Sequence, residues 1–383
     1  MAGKHRRTWI GSRLIRRRTA VQDPAGCYGA TVENTCAVSR DDPTRLMYRR
    51  MCVSLATAAI ALSAGLAVSA CGNDATDSTR SAKVALAGKP GGIAVGHEAV
   101  WVGLDSGSVL RLDPRTGAIR ATIKVAPLPV TIAVQKDAVW VTSLGADAAR
   151  TRPAPGGQGV VARIDPASNR VTATVQVGDT PDGLAATNDA VYVTSSVRDA
   201  RHVVIARIDP VTARVVAQRV LSEAPNGFAA SFVAAGDNKR VYVTQRSGIL
   251  RVLNPDTLAT VSQRRIGRDI AGVAHGFGSL WVADAGNDDL LRITERGQSG
   301  STRRVGVGDG PLRIAIGTRS VFVSIAGDQD DRTKDRIAVI DPASASVTSS
   351  LPVGDRPIEL AVGEDSVWVA NTEDRTVSRA DEP

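Results

Sequence analysis

Residues 90–125 read PGGIAVGHEAVWVGLDSGSVLRLDPRTGAIRATIKV. A proline opens a short apolar run, a turn follows, and then an aromatic ring stands between two valines. A third apolar run ends in Asp113-Pro114, and a fourth completes the segment. Val100-Trp101-Val102 belongs to a run of period two, which marks a β-strand. Gly and Pro interrupt every window long enough to show a helical period, so a helical solenoid is excluded.

The same unit is written seven times. Its opening residue returns at Pro90, Pro129, Pro181, Pro225, Ile270, Pro311 and Pro357. Its aromatic returns at Trp101, Trp140, Tyr192, Tyr242, Trp281, Phe322 and Trp368. In six units the two lie 11 residues apart; the fourth has 17, and its surplus is assigned to the region of Phe232–Lys239. Asp-Pro or Asn-Pro closes the third strand at Asp113, Asp165, Asp209, Asn254 and Asp341, whereas the fifth unit has Ile293-Thr294 there. Four short strands every 39–52 residues are the pattern of a β-propeller blade. The expected fold is therefore all-β, with seven blades of four antiparallel strands. The seventh unit holds only three strands, and one unassigned run, Ala82–Ala87, precedes the first. If that run supplies the outer strand of the last blade, the ring closes without an open sheet edge.

The run RIDPASNRVTATVQVGDTPDGLAATNDAVYVTSS (163–196) resembles the YVTN-type β-propeller repeat of exported bacterial proteins. Tyr192-Val193-Thr194 and Tyr242-Val243-Thr244 carry its name motif, and Trp140-Val141-Thr142 nearly does. The resemblance spans roughly residues 82–383. It implies the propeller fold and leaves the activity open, since one fold hosts many functions.

The chain has 383 residues, 43% hydrophobic and 22% charged, which is globular composition. Its formal charge of +8 is concentrated at the front. Residues 1–70 hold 11 Lys and Arg against 4 Asp and Glu, leaving 36 against 35 in residues 71–383. The body thus lacks the basic footprint of a nucleic-acid binder. All four cysteines (Cys27, Cys36, Cys52 and Cys71) lie in the first fifth of the chain, so the body holds neither a disulfide nor a thiolate metal site.

Residues 47–70 pair a basic start with an apolar run, Val53–Ala70, which reads as a secretory signal. Val68-Ser69-Ala70-Cys71 resembles the lipobox of bacterial lipoproteins, which implies lipidation at Cys71. An uncleaved signal-anchor helix is the alternative. Residues 1–46 are a basic leader, either a long n-region or a segment ahead of a true start at Met47 or Met51. Residues 71–81 read as a flexible tether and 82–383 as the propeller. The expected location is the outer surface of the cytoplasmic membrane or the cell envelope, membrane-attached through the lipid.

In a four-stranded blade, the link to the next blade and the link from second to third strand open on one face, the rim. Loops on a rigid scaffold are where binding residues lie. The rim links supply Arg268, Asp269, Asp309, Asp355 and Arg356 as candidate ligand-binding residues. Two more stand out against the repeat. The second residue after the opening position is Gly92, Thr131, Gly183, Gly227, Gly272, Arg313 and Glu359 in turn. Arg313 and Glu359, large and opposite in charge, are expected to pair at the channel mouth, either as a binding site or as a structural plug. His275 takes a first-strand place held by Val95 or Val134 elsewhere. It is kept as a candidate beside the commoner reading of a buried, bonded histidine.

The seven aromatics read as packing between blades, and the Asp-Pro carboxylates as turn devices. No catalytic set is assigned and no cofactor is expected. A structural calcium or other divalent metal is kept open at Asp284–Asp289 and Asp328–Asp331. The leading functional reading is a monomeric, non-catalytic scaffold that binds an envelope protein, a peptide or a glycan. The alternative is a metal-dependent lyase or lactonase-like enzyme, since virginiamycin B lyases, gluconolactonase-like proteins and quinoproteins use comparable propellers.

Overall fold

A computed structural model describes residues 82–144, 159–197, 202–223, 230–236, 239–294, 301–327 and 332–383. The leader, the signal, Cys71 and the tether lie outside these residues, as do Pro225, Gly227 and Asp328–Asp331.

Seven four-stranded antiparallel sheets follow one another along the chain. Blade 1 shows the plan: Pro90–Val95 innermost, then Val100–Leu104, Ser108–Leu112 and Ile119–Lys124 outermost. Blade 7 is composite. Ala82–Ala85 lies antiparallel against Thr376–Asp381, with Ala82 opposite Arg379 and Ala85 opposite Thr376. Leu86 N extends the ladder to Arg375 O at 2.9 Å. The closure expected from the sequence is present, and it makes unravelling of the ring require the breaking of a sheet.

Between blades, each aromatic faces forward and each flanking apolar pair, two valines except for Leu280 and Val282 in blade 5, faces back. Trp101 packs with Val139 and Val141 of blade 2, and Trp281 with Val321 and Val323 of blade 6. Trp368 packs with Val100 and Val102 of blade 1, which seals the ring. The four tryptophans and Phe322 have no exposed surface. Rings this large dominate core energetics.

The sequence reading missed a second pin across these seams. An arginine stands directly opposite the ring on the third strand at Arg111, Arg163, Arg207, Arg292 and Arg379. Three of these guanidinium groups lie over their tryptophans: Arg111, Arg292 and Arg379, at 5.2, 5.5 and 5.6 Å from the ring centres. The same three donate to the third-to-fourth turn of the next blade, at Pro166 O, Ala343 O and Arg115 O. Arg379 thereby ties the last blade to the first.

Those turns are built as the Asp-Pro pattern implies. Asp113 Oδ1 accepts from the amides of Arg115 and Thr116, both at 2.8 Å. The fourth residue after the Asp or Asn turns left-handed: Gly117, Asn169, Ala213, Leu258 and Ala345 have φ of 71, 55, 51, 57 and 48°. Hydrogen bonds to these carboxylates hold Asp113, Asp165, Asp209 and Asp341 below the usual range.

Blade 4 corrects the reading of the fourth unit. Its innermost strand is Ser231–Gly236, and Ser231 faces Gln245 as Pro90 faces Leu104. Ser231 is 11 residues before Tyr242, so the usual spacing holds. The surplus lies mainly before the strand and not around Phe232–Lys239. The strand also lacks the bulge present after the opening residue in the other blades. Phe232 therefore stands opposite Thr244, as Gly183 stands opposite Thr194. It takes the place that spacing from Pro225 gave to Gly227.

Candidate functional site

The corrected series at the start of the innermost strands is Gly92, Thr131, Gly183, Phe232, Gly272, Arg313 and Glu359. Small residues are needed here because adjacent strands converge. A Cβ on Gly183 would lie 2.9 Å from Val233 N, and one on Gly272 would collide with Leu312 O. Backbone cannot yield to such contacts.

The three large residues meet one another. Arg313 Nε donates to Glu359 Oε1 at 2.6 Å, the guanidinium lies 4.5 Å from the Phe232 ring centre, and Arg313 Nη1 donates to Ala271 O. These partners belong to blades 7, 4 and 5, while Arg313 is in blade 6. Blades 4 and 6 are not neighbours, so Phe232 and Arg313 touch past blade 5, on the inner side of the ring. Their side chains form a cation–aromatic, cation–carboxylate cluster at the channel mouth. The side chains of Arg313 and Glu359 are 26% and 13% exposed, so solvent still reaches both. Burial pushes the Glu359 carboxyl above the ordinary range, and Arg313 pulls it back in part.

The rim charges surround this mouth in bonded sets. Asp269 pairs with Arg246 at 2.6 Å, and Asp309 with Lys334 at 2.6 Å. Arg356, in the left-handed region at φ 58°, donates its amide to Asp335 Oδ2 at 2.6 Å. The amide of Asp355 donates to Asp374 Oδ2 at 3.0 Å, and that of Arg268 to Asp284 Oδ1 at 3.1 Å. Each bond joins a blade-to-blade link to a second-to-third loop or, at Asp284, to the end of the second strand. Lys89 and Glu373 do the same at 2.9 Å across the closure.

His275 does not join this set. It pairs with Leu280 at the hairpin end of its strand and stacks flat on Tyr242, with ring centres 5.7 Å apart and planes 6° apart. Three residues separate it from Gly272, about 10 Å along an extended strand. Its ring closes the seam between blades 4 and 5 instead of facing the mouth. Also at the hairpin end, a shallow cavity of about 560 Å³ is lined by His97, Gln135, Lys136 and Asn188.

The turn at 284–289 is internally bonded. Asp284 is wholly buried, accepts from Asn287 Nδ2 at 2.7 Å and lies 3.5 Å from Arg304, which reaches Asp289 at 2.9 Å. Among the described residues no three His, Cys, Asp or Glu side chains converge as a metal-binding group.

Of the residues singled out from sequence, Arg313 and Glu359 are thus in direct contact, and the five link residues lie on the rim around them. Phe232 was missed because the fourth unit was counted forward from Pro225. Counting back 11 from Tyr242 sets the strand start at Ser231, but the second residue after it is Val233; only the register, with its missing bulge, puts Phe232 in the series.

No protein-family model and no curated protein matches the sequence. Solved structures do share the fold. A chain of the Kuenenia stuttgartiensis hydrazine synthase has a TM-score of 0.62 at 15% identity, covering 76% of this chain and 95% of that one. A chain of the mitotic checkpoint complex scores 0.64 at 11% identity, covering 85% and 99%. A catalytically inactive virginiamycin B lyase from Staphylococcus aureus, solved with quinupristin, scores 0.58 at 15% identity, covering 79% and 99%. The chain is a seven-bladed β-propeller. At these identities the likeness shows the fold alone, and the three neighbours serve unrelated roles.

Proposed function

We propose that this chain is an exported, lipid-anchored propeller of the YVTN type that binds a polar ligand or partner on its rim without transforming it. The observation that carries this reading is the meeting of Phe232 and Glu359 on Arg313 at the inner strands. Everywhere else the inner-strand series serves packing; here it places one aromatic face, one cation and one carboxylate at the mouth, which suits a peptide, a glycan or a protein loop. The signal at 47–70 and the Cys71 motif support the extracytoplasmic, membrane-attached location.

The test is a charge swap. Arg313→Glu combined with Glu359→Arg keeps a salt bridge but reverses the field. Membrane fractions are probed by affinity capture with the wild type and the swapped chain. A ligand or partner held by the wild type and lost by the swapped chain supports the reading, and identical capture by both sinks it. Intact-mass analysis of the same fraction reads the anchor. A lipid-sized mass increment on a chain beginning at Cys71, absent in Cys71→Ala, is expected.

The fold likeness to a virginiamycin B lyase supports a second reading, a metal-dependent lyase or lactonase-like activity. Quinupristin is the direct probe. Its consumption by the purified chain, abolished by a chelator and restored by a divalent metal, would replace the binding reading with the enzymatic one.

A further inference from the structure

The back face of blade 4 departs from every other blade. Opposite the second valine of the Val-aromatic-Val motif, the third strand carries Leu110, Ala162, Ala206, Leu291, Ala338 and Ser378 in six blades. In blade 4 that place is held by Arg251, opposite Val243. Residues two apart, or directly opposite on paired strands, share a sheet face. Val243, Gln245, Ser231 and Arg251 therefore look the same way, toward blade 3. The contacts agree: Gln245 Nε2 donates to Ser222 Oγ of blade 3 at 2.7 Å, and Thr194 Oγ1 of blade 3 donates to Ser231 O at 2.8 Å.

Arg251 is only 6% exposed, and among the described residues the side chain it bonds is neutral, Gln245 through Oε1. No carboxylate among the described residues pairs with it. Burial lowers the pKa of its guanidinium, yet an arginine stays charged. Ser231 Oγ, on the same face and fully buried, has no hydrogen-bond partner among the described residues. The nitrogens of Arg251 are not among the sealed, unbonded atoms, so those without a protein partner keep contact with solvent. Among the described residues the seam thus combines a cation without a counter-charge and, on the same face, a hydroxyl without a partner. A buried cation left so is costly unless an anion completes it.

We propose that the seam between blades 3 and 4 is a receptor for a carboxylate, with Arg251 as its cation and Gln245 as the neutral hydrogen-bonding wall beside it. A carboxylate is the matching class because one guanidinium neutralises one negative charge and meets two coplanar oxygens through parallel N–H groups. A phosphate dianion would leave a charge uncompensated in the same crevice. The site is separate from the Arg313–Glu359 pair and does not depend on the rim binding anything.

The experiment follows thermal unfolding of the full-length chain in acetate, chloride and phosphate at matched ionic strength and pH 7. Acetate at roughly 100 mM is expected to raise Tm above chloride by about 2 °C, through binding to the folded state alone. Arg251→Met abolishes that difference, and Arg313→Met leaves it intact. Gln245→Leu keeps the charge but removes that wall, and should weaken acetate binding several-fold; it carries the test if Arg251→Met does not fold. The proposal is overturned by the absence of an acetate-specific shift, or by a shift that survives Arg251→Met. It is also overturned by a Gln245→Leu response equal to the wild type, or by phosphate matching acetate.

Discussion

The seams between blades and the axis of the ring use the same repeat in opposite ways. At a seam every blade contributes the same parts, a ring facing forward and an apolar pair facing back, so Trp101 and Trp368 do the same work at places remote in sequence. On the axis the repeat contributes small residues at Gly92, Thr131, Gly183 and Gly272, and what matters is where it stops: Phe232, Arg313 and Glu359. Uniformity builds the scaffold because each seam meets the same packing problem. Departures mark candidate sites because a large side chain in a glycine place must find somewhere else to go.

The contrast is sharpest in the energetics. Trp281→Ala should destabilise the ring by about 3–5 kcal/mol, the cost of a large cavity in a dry seam. Chemical denaturation reads it, and a loss under about 1 kcal/mol would mean the seams are not what hold the blades. Arg313→Met should cost less, about 2–3 kcal/mol, by leaving the Glu359 carboxylate without its cation. Adding Glu359→Leu should recover most of that loss, since two matched apolar groups replace a matched ion pair. A double variant as damaged as the sum of the singles would show that the pair does not act as a unit.

Smaller again is the latch at the closure. Arg379→Met should cost about 1–2 kcal/mol, from one cation–aromatic contact and one charged hydrogen bond to Arg115 O. Hydrogen exchange should show Ala82–Ala85 opening earlier in this variant than in Arg111→Met, because Arg379 spans the closure and Arg111 does not.

The two regions should also separate by pH. Glu359 has a raised pKa in the fold, so the folded state binds its proton more readily than the unfolded chain. Its contribution grows as pH falls through the raised pKa toward the ordinary value of 4.5, and Glu359→Gln should remove that slope. The turn aspartates behave oppositely. With Asp113, Asp165, Asp209 and Asp341 below their ordinary 3.8, their contribution is full above that pH and is lost as pH falls toward the lowered values. Asp113→Ala should therefore differ from wild type at about pH 6 and approach it as pH falls from 3.8 toward the lowered value, the smallest effect of the set.

Much of this was legible beforehand. Blade number, the strand that closes the ring, the forward-facing aromatics and the Asp turns all repeat, and a feature repeated at fixed spacing can be read without coordinates. Arg313 and Glu359 were legible as exceptions to such a series. Phe232 was hidden by a displaced proline and a missing bulge, and His275 was left between two readings because sequence gives a residue's strand but not which neighbour its ring meets. Arg251 was passed over because one arginine on an outer-half strand of a charged chain looks solvated until the preceding blade covers it.

Sequence by itself determined the repeat and hence the ring, because period-two strands joined by short Asp and Gly turns leave few ways to bury seven equivalent faces. Tertiary structure alone decided which departures touch. Arg313 meets Phe232 and Glu359, and Arg251 meets no acid among the described residues, because ring closure sets distances between residues that no spacing along the chain can fix.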